Sequence, residues 1–184
     1  MVGYFSGSPT HTRDFAIAAP ALAHLLGTDP DVRVRVVGYL DETGPLRQFK
    51  DRVEILPHMN YLHLQRAIAE VEVNIAPLQE NAFTNCKSEL KFFEAAAVGT
   101  WTIASPTSTF RAAIDDGRSG RLARAHEWDA ALAEAVGLAR DTSAYADSAE
   151  AAARYAHDTY GWDRLTSTIV RSVLPELEHS THDR

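Results

Sequence analysis

The chain has 184 residues, of which 45% are hydrophobic and 23% charged, a composition typical of a folded globular protein. The 25 acidic residues outnumber the 18 basic ones, and the formal net charge of −7 argues against a nucleic-acid-binding surface. The single cysteine, Cys86, excludes an internal disulfide framework, and no apolar segment approaches the ~20 residues that a membrane-spanning helix needs.

Short apolar strands and amphipathic helices alternate along most of the chain. Alternating or continuous apolar runs predict strands at residues 2–7, 31–40, 52–57, 71–78, 101–105 and 120–123. Apolar residues at helical spacing predict helices at residues 8–27, 61–71, 88–99, 107–117, 127–141, 143–160 and 162–174. We expect Gly99 and Gly117 to end the helices that precede them.

This order of elements predicts an α/β fold with a parallel sheet covered by helices on both faces. The helical segments after residue 127 predict a C-terminal cover on a Rossmann-like domain. We expect one domain over residues 1–177 and a polar tail over 178–184. The segment MVGYFSGS has no signal-peptide pattern and enters a strand directly, so we expect a domain cut from a longer protein.

Ligands of such sheets bind at the carboxyl ends of the strands, and the first strand-to-helix junction, FSGSPTHTRDF, has suitable residues. Gly7 permits a tight turn, Ser8 offers a hydroxyl, and Arg13 stands at the start of the helix, where free N–H groups favour a phosphate. His11 is a further candidate for contact with a phosphate or a sugar. The alternative is a plain turn with Thr12 as the N-cap. No Gly-x-Gly-x-x-Gly fingerprint is present, which argues against a dinucleotide oxidoreductase.

The second junction, NCKSELKFFEAAAVG, places several charges at the start of a helix with an apolar face. Lys87, Lys91 and the helix N-terminus predict an anion site, with Asn85 or Ser88 as the N-cap. Glu94, three residues after Lys91, offers paired acceptors for a diol such as a ribose. The alternative is an ordinary solvated face in which Glu94 pairs with a lysine.

The segment APLQENAFTNCKSELKFFEAAAVGTWTIASPTSTFRAAIDDGRSGRLA resembles the donor-binding half of a GT-B glycosyltransferase of the family 4, or group 1, type. Members of that family have a similar order: an aliphatic strand ending in proline, a helix ending Glu-Ala-x-Ala-x-Gly, a strand, and an Asp-Gly-x-x-Gly turn. The glycine loop YFSGSPTHTRDF and the segment YGWDRL near the C-terminus are similar to the family's patterns as well.

The resemblance implies that a sugar nucleotide lies across the carboxyl ends of the strands. Glu94 is then the residue that holds the ribose, Arg13 and Lys91 face the diphosphate, and the backbone near Pro57–Met59 contacts the base. We expect Lys91 and Arg13 to be catalytic, because cations stabilise a departing nucleoside diphosphate. The nucleotide-sugar-binding residues that we predict are Gly7, Ser8, His11, Arg13, His58, Met59, Lys87, Ser88, Glu89, Leu90, Lys91 and Glu94.

Two residues depart from the family's pattern. Cys86 stands where many members have a second acidic residue that contacts the donor sugar, and we expect Asn85 or Lys87 to take its place. Ser8 replaces the arginine that usually follows the first glycine, and Lys87 and Lys91 are expected to restore the missing charge. The sequence therefore leaves the donor sugar and the base undefined.

The implied activity is transfer of a hexose from a UDP- or GDP-linked donor, with retention at the anomeric carbon, in polysaccharide biosynthesis. No cofactor and no metal are expected, and the histidines have no metal-ligand spacing. We expect the acceptor-binding N-terminal domain to be a partner missing from this chain, so that the chain alone is nearly inactive. The implied location is the cytoplasm, with peripheral membrane association of the full protein as a further expectation.

Two alternative functions remain open at this stage. A sugar-nucleotide epimerase of similar architecture needs acid–base carboxylates and histidines facing the sugar, and the sequence places none convincingly. A non-catalytic, degenerate GT-B domain is favoured by Cys86 and Ser8, whereas Arg13, Lys91 and Glu94 argue against it. For the donor-binding half of a glycosyltransferase, we expect the final helix to expose an apolar patch that faces the partner domain.

Overall fold

The strands are short, most of them are buried, and all of them were predicted. The computed structural model describes residues 1–7, 11–40 and 44–174. Its strands are Val2–Ser6 (β1), Val34–Gly38 (β2), Val53–Leu56 (β3), Val73–Ala76 (β4), Trp101–Ala104 (β5) and Gly120–Leu122 (β6).

The helices follow the strands in alternation and then continue to the end of the described residues. They are Thr12–Thr28 (α1), Tyr61–Ala69 (α2), Leu90–Ala96 (α3), Ser108–Ala113 (α4), Trp128–Arg140 (α5), Thr142–Tyr160 (α6) and Trp162–Val173 (α7). Two 3-10 segments, Gly44–Arg52 and Thr84–Cys86, lie in the connections. Within the described residues, no helix is both long enough and apolar enough to cross a membrane.

The strands form one parallel sheet in the order β3-β2-β1-β4-β5-β6. From β1 the chain adds β2 and β3 on one side and then returns to add β4, β5 and β6 on the other. The reversal makes a topological switch point between β1 and β4, where sheets of this kind bind their ligands. The predicted Rossmann-like fold is therefore confirmed.

Both faces of the sheet are buried at the central strands β1, β4 and β5, which explains why these strands are apolar without strict alternation. Tyr4 belongs to the same buried cluster as Leu22 of α1 and Leu132 of α5. The next residue, Phe5, belongs to a cluster on the opposite face with Ile68 of α2. Helices α1 and α5 thus cover one face of the sheet at β1, and α2 covers the other.

The C-terminal helices differ in how firmly they are held. The Tyr145 hydroxyl of α6 donates to the backbone oxygens of Glu72, at 2.8 Å, and Gly99, at 3.2 Å, which fastens α6 to the sheet. By contrast, α7 has no buried residue. One apolar stripe of α7 is exposed, as expected of the final helix: Trp162, Leu165, Ile169, Val170 and Val173.

Two predictions of helix ends need correction. Gly117 does not end α4, because the helix stops at Ala113 and the buried Ile114 is already extended; Gly117 lies instead in the following turn with φ +83°. The N-cap position of α3 is Glu89, with no side-chain cap hydrogen bond, so neither Asn85 nor Ser88 caps this helix.

Three further predictions concern residues near the ends of α1, α3 and α4. The Asn85 side chain accepts from the backbone N–H of Ser108, at 2.9 Å, and so supports α4 rather than α3. Thr12 is the first residue of α1 and not its N-cap, a position that His11 occupies. Gly99 has φ +76° just after α3, as predicted.

The tail at 178–184 lies outside the described residues, and the domain limits stay a prediction.

Candidate functional site

A cavity of about 230 Å³ opens at the carboxyl edge of the sheet, at the switch point between β1 and β4. Its walls come from the ends of β1 and β2, the segment after β3, and the inner sides of α2 and α3. The lining residues are Phe5, Ser6, Gly7, His11, Val37, His58, Met59, Leu64, Ile68, Asn74, Leu90, Lys91 and Glu94.

The structure brings together most of the residues that the sequence predicted for a nucleotide site, although they come from three separate segments. Those that line the cavity are Gly7, His11, His58, Met59, Leu90, Lys91 and Glu94. The two candidate junctions and the segment after β3 therefore meet in one place.

The remaining predicted residues lie elsewhere. Arg13 is exposed and does not line the cavity, and the same holds for Ser88. Lys87 and Glu89 are partly buried beside the cavity and have other partners. Ser8 lies outside the described residues.

Lys91 is a partly buried cation whose surroundings are fixed by the core. Its ammonium nitrogen lies 4.8 Å from the centroid of the Tyr4 ring, within range of a cation–π interaction. The pKa of Lys91 is lowered to about 8, mainly by burial and also by the charge of Lys87, while the carboxylates of Asp14 and Glu94 oppose the shift. The side chain is thus protonated at neutral pH and poorly hydrated, which strengthens its attraction for an anion.

Two buried polar residues set the positions of Lys91 and His11, and sequence reasoning missed both as parts of the site. The Asn74 amide donates to the backbone oxygen of Lys91, at 3.0 Å, and to the Thr102 hydroxyl, at 3.1 Å. The Tyr4 hydroxyl donates to the backbone oxygen of His11, at 3.0 Å. An asparagine inside an otherwise apolar strand is a signal that something must satisfy its amide, and here it supports α3.

His11 lines the cavity with an imidazole that lacks one hydrogen bond. Among the described residues, its buried Nδ1 atom has no hydrogen-bond partner. Burial lowers the pKa of His11, and the nearby charges of Lys91 and Lys87 lower it further, with Asp14 acting in the opposite direction. The unsatisfied nitrogen of a neutral imidazole can donate a hydrogen bond to a ligand or accept one from it, depending on the tautomer.

Glu94 lies one turn beyond Lys91 and lines the same cavity. Burial raises the pKa of its carboxyl, while the charge of Lys91 lowers it. Among the described residues, no hydrogen-bond donor or ion-pair partner within bonding distance satisfies this carboxylate. The acceptor oxygens of Glu94 therefore remain available to a ligand.

The opposite side of the cavity is more apolar. Val37, Leu64 and Ile68 form this wall, together with Met59 from the segment after β3. The His58 ring lies 5.8 Å from the Tyr39 ring, which is exposed at the end of β2. Such a wall suits the flat faces of an aromatic ring.

Lys87 and Glu89, which precede α3, are held by residues of other elements. The Lys87 ammonium group lies 3.4 Å from a carboxylate oxygen of Asp14, and its backbone oxygen accepts from the Thr109 hydroxyl at 2.7 Å. The carboxylate of Glu89 accepts from the Tyr160 hydroxyl at 2.8 Å. These contacts fix the entry into α3 and leave Lys91 and Glu94 as the charged residues that line the cavity.

The site does not have the features of a metal centre. Among the described residues, no group of three or more histidine, cysteine, aspartate or glutamate side chains is placed to hold a metal ion. The ammonium group of Lys91, which lines the cavity, is suited to binding an anion.

The sheet order and the position of the cavity define a Rossmann-like α/β domain with a ligand site at the switch point. The family model for glycosyl transferases group 1 matches residues 1–141. The chain belongs to this family of group 1 glycosyl transferases. No curated protein matches the chain by sequence.

Solved glycosyltransferases of the GT-B group have the same fold. HepE of Anabaena, in complex with UDP-glucose, matches with a TM-score of 0.72 and 17% identity over 94% of this chain and 48% of that one. Sucrose-phosphate synthase of Thermosynechococcus elongatus gives 0.71 and 16% over 98% and 46%. WaaG, a glycosyltransferase involved in lipopolysaccharide biosynthesis, gives 0.68 and 16% over 94% and 46%. The chain thus spans about half the length of these proteins.

Proposed function

We propose that the cavity binds the nucleoside diphosphate part of a nucleotide sugar, and that the chain is the donor-binding half of a glycosyltransferase. The observation that carries this proposal is the placement of Lys91 and Glu94, which line one cavity from neighbouring turns of α3. A cation and a free carboxylate at this spacing match the phosphates and the ribose hydroxyls of such a ligand.

In this proposal the diphosphate lies against Lys91 and the loop after β1. Lys91 supplies a protonated ammonium group, and His11 has an unpaired buried nitrogen in the same wall. Gly7 has no side chain, and no atom of the described residues beyond its chain neighbours lies within 4 Å of the place where its Cβ would stand, so the ligand can approach the backbone. Arg13 and Lys87 do not line the cavity, and they attract the negative charge of the diphosphate at longer range.

The nucleoside occupies the rest of the cavity. Glu94 accepts hydrogen bonds from the two ribose hydroxyls, and the base lies against Met59, Leu64 and Ile68 near His58. The complexes of HepE with UDP and UDP-glucose favour UDP as the first nucleotide to test. GDP is the alternative.

The proposed reaction is retaining transfer of a hexosyl group to a glycan or another acceptor. The carbon–oxygen bond at the anomeric carbon breaks, and the negative charge that develops on the departing diphosphate is stabilised by Lys91 and Arg13 rather than by a metal ion. The acceptor is held by a second domain, since the chain covers 48% of HepE. We propose that this domain packs on the exposed apolar stripe of α7, and that the chain alone binds the donor without transferring its sugar.

A non-catalytic domain is the second candidate, and one observation favours it. Cys86 is exposed at the position where the family resemblance implies an acidic residue for the donor sugar. A domain of this kind would still bind a nucleotide through Lys91 and Glu94 but would support no transfer with any partner domain. Transfer assays with a complete two-domain protein separate the two candidates.

The proposal is tested by isothermal titration calorimetry of the chain with UDP and with GDP. We expect saturable binding of one of them, weakened at least ~10-fold by Lys91→Ala, because a charge-assisted contact contributes about 1.5–3 kcal/mol. Lys50→Ala is the matched control, since Lys50 is an exposed lysine of the 3-10 segment before β3. Folded protein that binds neither nucleotide would overturn the proposal.

A further inference from the structure

Asp14 is a carboxylate in a place where a charge is costly. It lies in the first turn of α1 and is 7% exposed, and it is the one carboxylate among the buried residues that the structure describes. A buried charge persists only when it is paired or hydrogen-bonded. The partners of Asp14 therefore indicate what its charge does.

Those partners belong to a different junction of the fold. One carboxylate oxygen accepts from the backbone N–H of Gln79, in the loop after β4, at 3.1 Å. The other lies 3.4 Å from the ammonium group of Lys87, just before α3. Asp14 thus joins the start of α1 to both ends of the β4–α3 loop, across the switch point of the sheet.

We propose that Asp14 is a positioning residue of the nucleotide site, which fixes the β4–α3 loop through Gln79 and holds Lys87 beside Lys91, so that both ammonium groups act on one diphosphate. This inference rests on the proposed function for its ligand. The geometry on which it stands, a buried carboxylate between two loops and two lysines, does not depend on the ligand.

The charged groups around Lys91 explain why a carboxylate is needed there. Lys91 faces Asp14 from α1, Lys87 from the loop and Glu94 from its own helix, with Tyr4 of β1 and His11 on the remaining sides. Burial and Lys87 disfavour the ammonium form of Lys91, whereas Asp14 and Glu94 favour it. Asp14 thus allows two lysines to stay charged near one another.

Several groups near Lys91 have shifted pKa values. Of Lys91 and these groups, we expect only Lys91 to titrate near pH 8. Burial lowers the pKa of His11 and raises the pKa of Tyr4, which moves both groups away from this range. The pKa of Glu94 is raised from 4.5 by burial, against the charge of Lys91. The titration of Lys91 therefore reports directly on the charge of Asp14.

The first test needs no ligand. The lysine Cε resonances of ¹³C-labelled protein are titrated by NMR in the wild type, in Asp14→Asn and in Lys87→Met. We expect the Lys91 midpoint near pH 8 in the wild type, lower by ~1 pH unit in Asp14→Asn, and higher in Lys87→Met. Asp147→Asn, which removes an exposed carboxylate of α6, is the control and should leave the midpoint unchanged. An unchanged midpoint in folded Asp14→Asn would overturn the proposal.

A measurement on the wild type covers the case in which Asp14→Asn does not fold. The amide proton of Gln79 should exchange slowly with solvent, because the Asp14 carboxylate accepts a hydrogen bond from it. A Gln79 amide that exchanges as fast as an unprotected one contradicts the proposed connection between the loops.

UDP binding then links Asp14 to the proposed function. The affinity of the wild type should fall as the pH rises through about 8, and in Asp14→Asn this fall should begin at a lower pH. A wild type that binds no UDP would overturn the function, while the lysine titration would still decide the role of Asp14. Binding with the same pH profile in both proteins would overturn the role of Asp14 alone.

Discussion

The ammonium group of Lys91 lies 4.8 Å from the centre of the Tyr4 ring, so that a core aromatic residue of β1 supports a cation of the cavity wall. Tyr4 is fully buried and packs with α1, and its hydroxyl binds the backbone just before that helix. The contact therefore links the packed sheet to both strand-to-helix junctions that form the site. A lysine in such a place is favourable for anion binding and costly for folding.

Lys91→Met should increase the free energy of unfolding at pH 7 while weakening UDP binding. Burial lowers the Lys91 pKa from 10.5 to about 8, so between these values the unfolded chain holds a proton that the folded chain has lost. Wild-type stability should therefore rise with pH across this window, and the variant should lack the rise. Denaturant unfolding at several pH values measures both effects, with Lys50→Met as control. A wild-type curve that is flat from pH 8 to 10.5 contradicts the assignment.

Gly38→Ala should destabilise the fold by at least about 2 kcal/mol. Gly38 ends β2 with φ +94°, and a Cβ there would stand 2.0 Å from the backbone oxygen of Ser6, a residue of the cavity wall. Gly137→Ala is the matched control, because nothing lies within 4 Å of its Cβ position in α5. In a helix interior this change should stabilise by ~0.5–1 kcal/mol. Equal unfolding midpoints for the two variants would show that Gly38 is not constrained.

Tyr160→Phe should cost about 1–3 kcal/mol of stability, because it leaves a partly buried carboxylate without its donor. The Tyr160 hydroxyl donates to Glu89 at 2.8 Å, and its ring stacks on Phe93 at 4.5 Å, a contact that phenylalanine keeps. Thermal or denaturant unfolding measures the loss. Tyr61→Phe, at an exposed tyrosine, should change stability little. A similar effect of both changes would mean that the hydrogen bond to Glu89 contributes nothing.

The apolar stripe of α7 should be replaceable without loss of stability in this chain. Ile169 and Val173 are 52% and 69% exposed, so the double change to serine should alter the free energy of unfolding by about 0.5 kcal/mol or less. It should also reduce the binding of an apolar fluorescent dye. Leu132→Ala, at a fully buried position of α5, should cost ~2–5 kcal/mol and is the positive control. A cost in the α7 variant that approaches that of Leu132→Ala contradicts an exposed stripe.

Local patterns in the sequence predicted the fold because apolar residues recur at different spacings in its strands and in its helices. The apolar runs around Tyr4 and Ile75 indicated strands buried on both faces, and the alternation with helices indicated a parallel sheet. The helix ends were less predictable. The sequence around Gly117 favours a helix that continues to the glycine, but Ile114 leaves the helix early and is buried in the core.

The site could be predicted in part for a similar reason. Lys91 and Glu94 share one helix face at a spacing of three, which the sequence reveals. His11 and Arg13 are two residues apart, so they point to different sides of α1, and only His11 lines the cavity. Asp14 was missed because an acidic residue in the first turn of a helix is ordinary. Its contacts with Gln79 and Lys87 arise only when the sheet forms.

The most direct test of the nucleotide site compares UDP with inorganic diphosphate in calorimetric titrations of the wild type and Glu94→Ala. If Glu94 holds the ribose, the variant should lose about 10-fold or more in affinity for UDP, because charge-assisted hydrogen bonds contribute about 1.5–3 kcal/mol. Its affinity for inorganic diphosphate should change much less, because that ligand has no ribose. Equal losses for both ligands, or no loss for either, would contradict the proposed orientation of the nucleotide in the cavity.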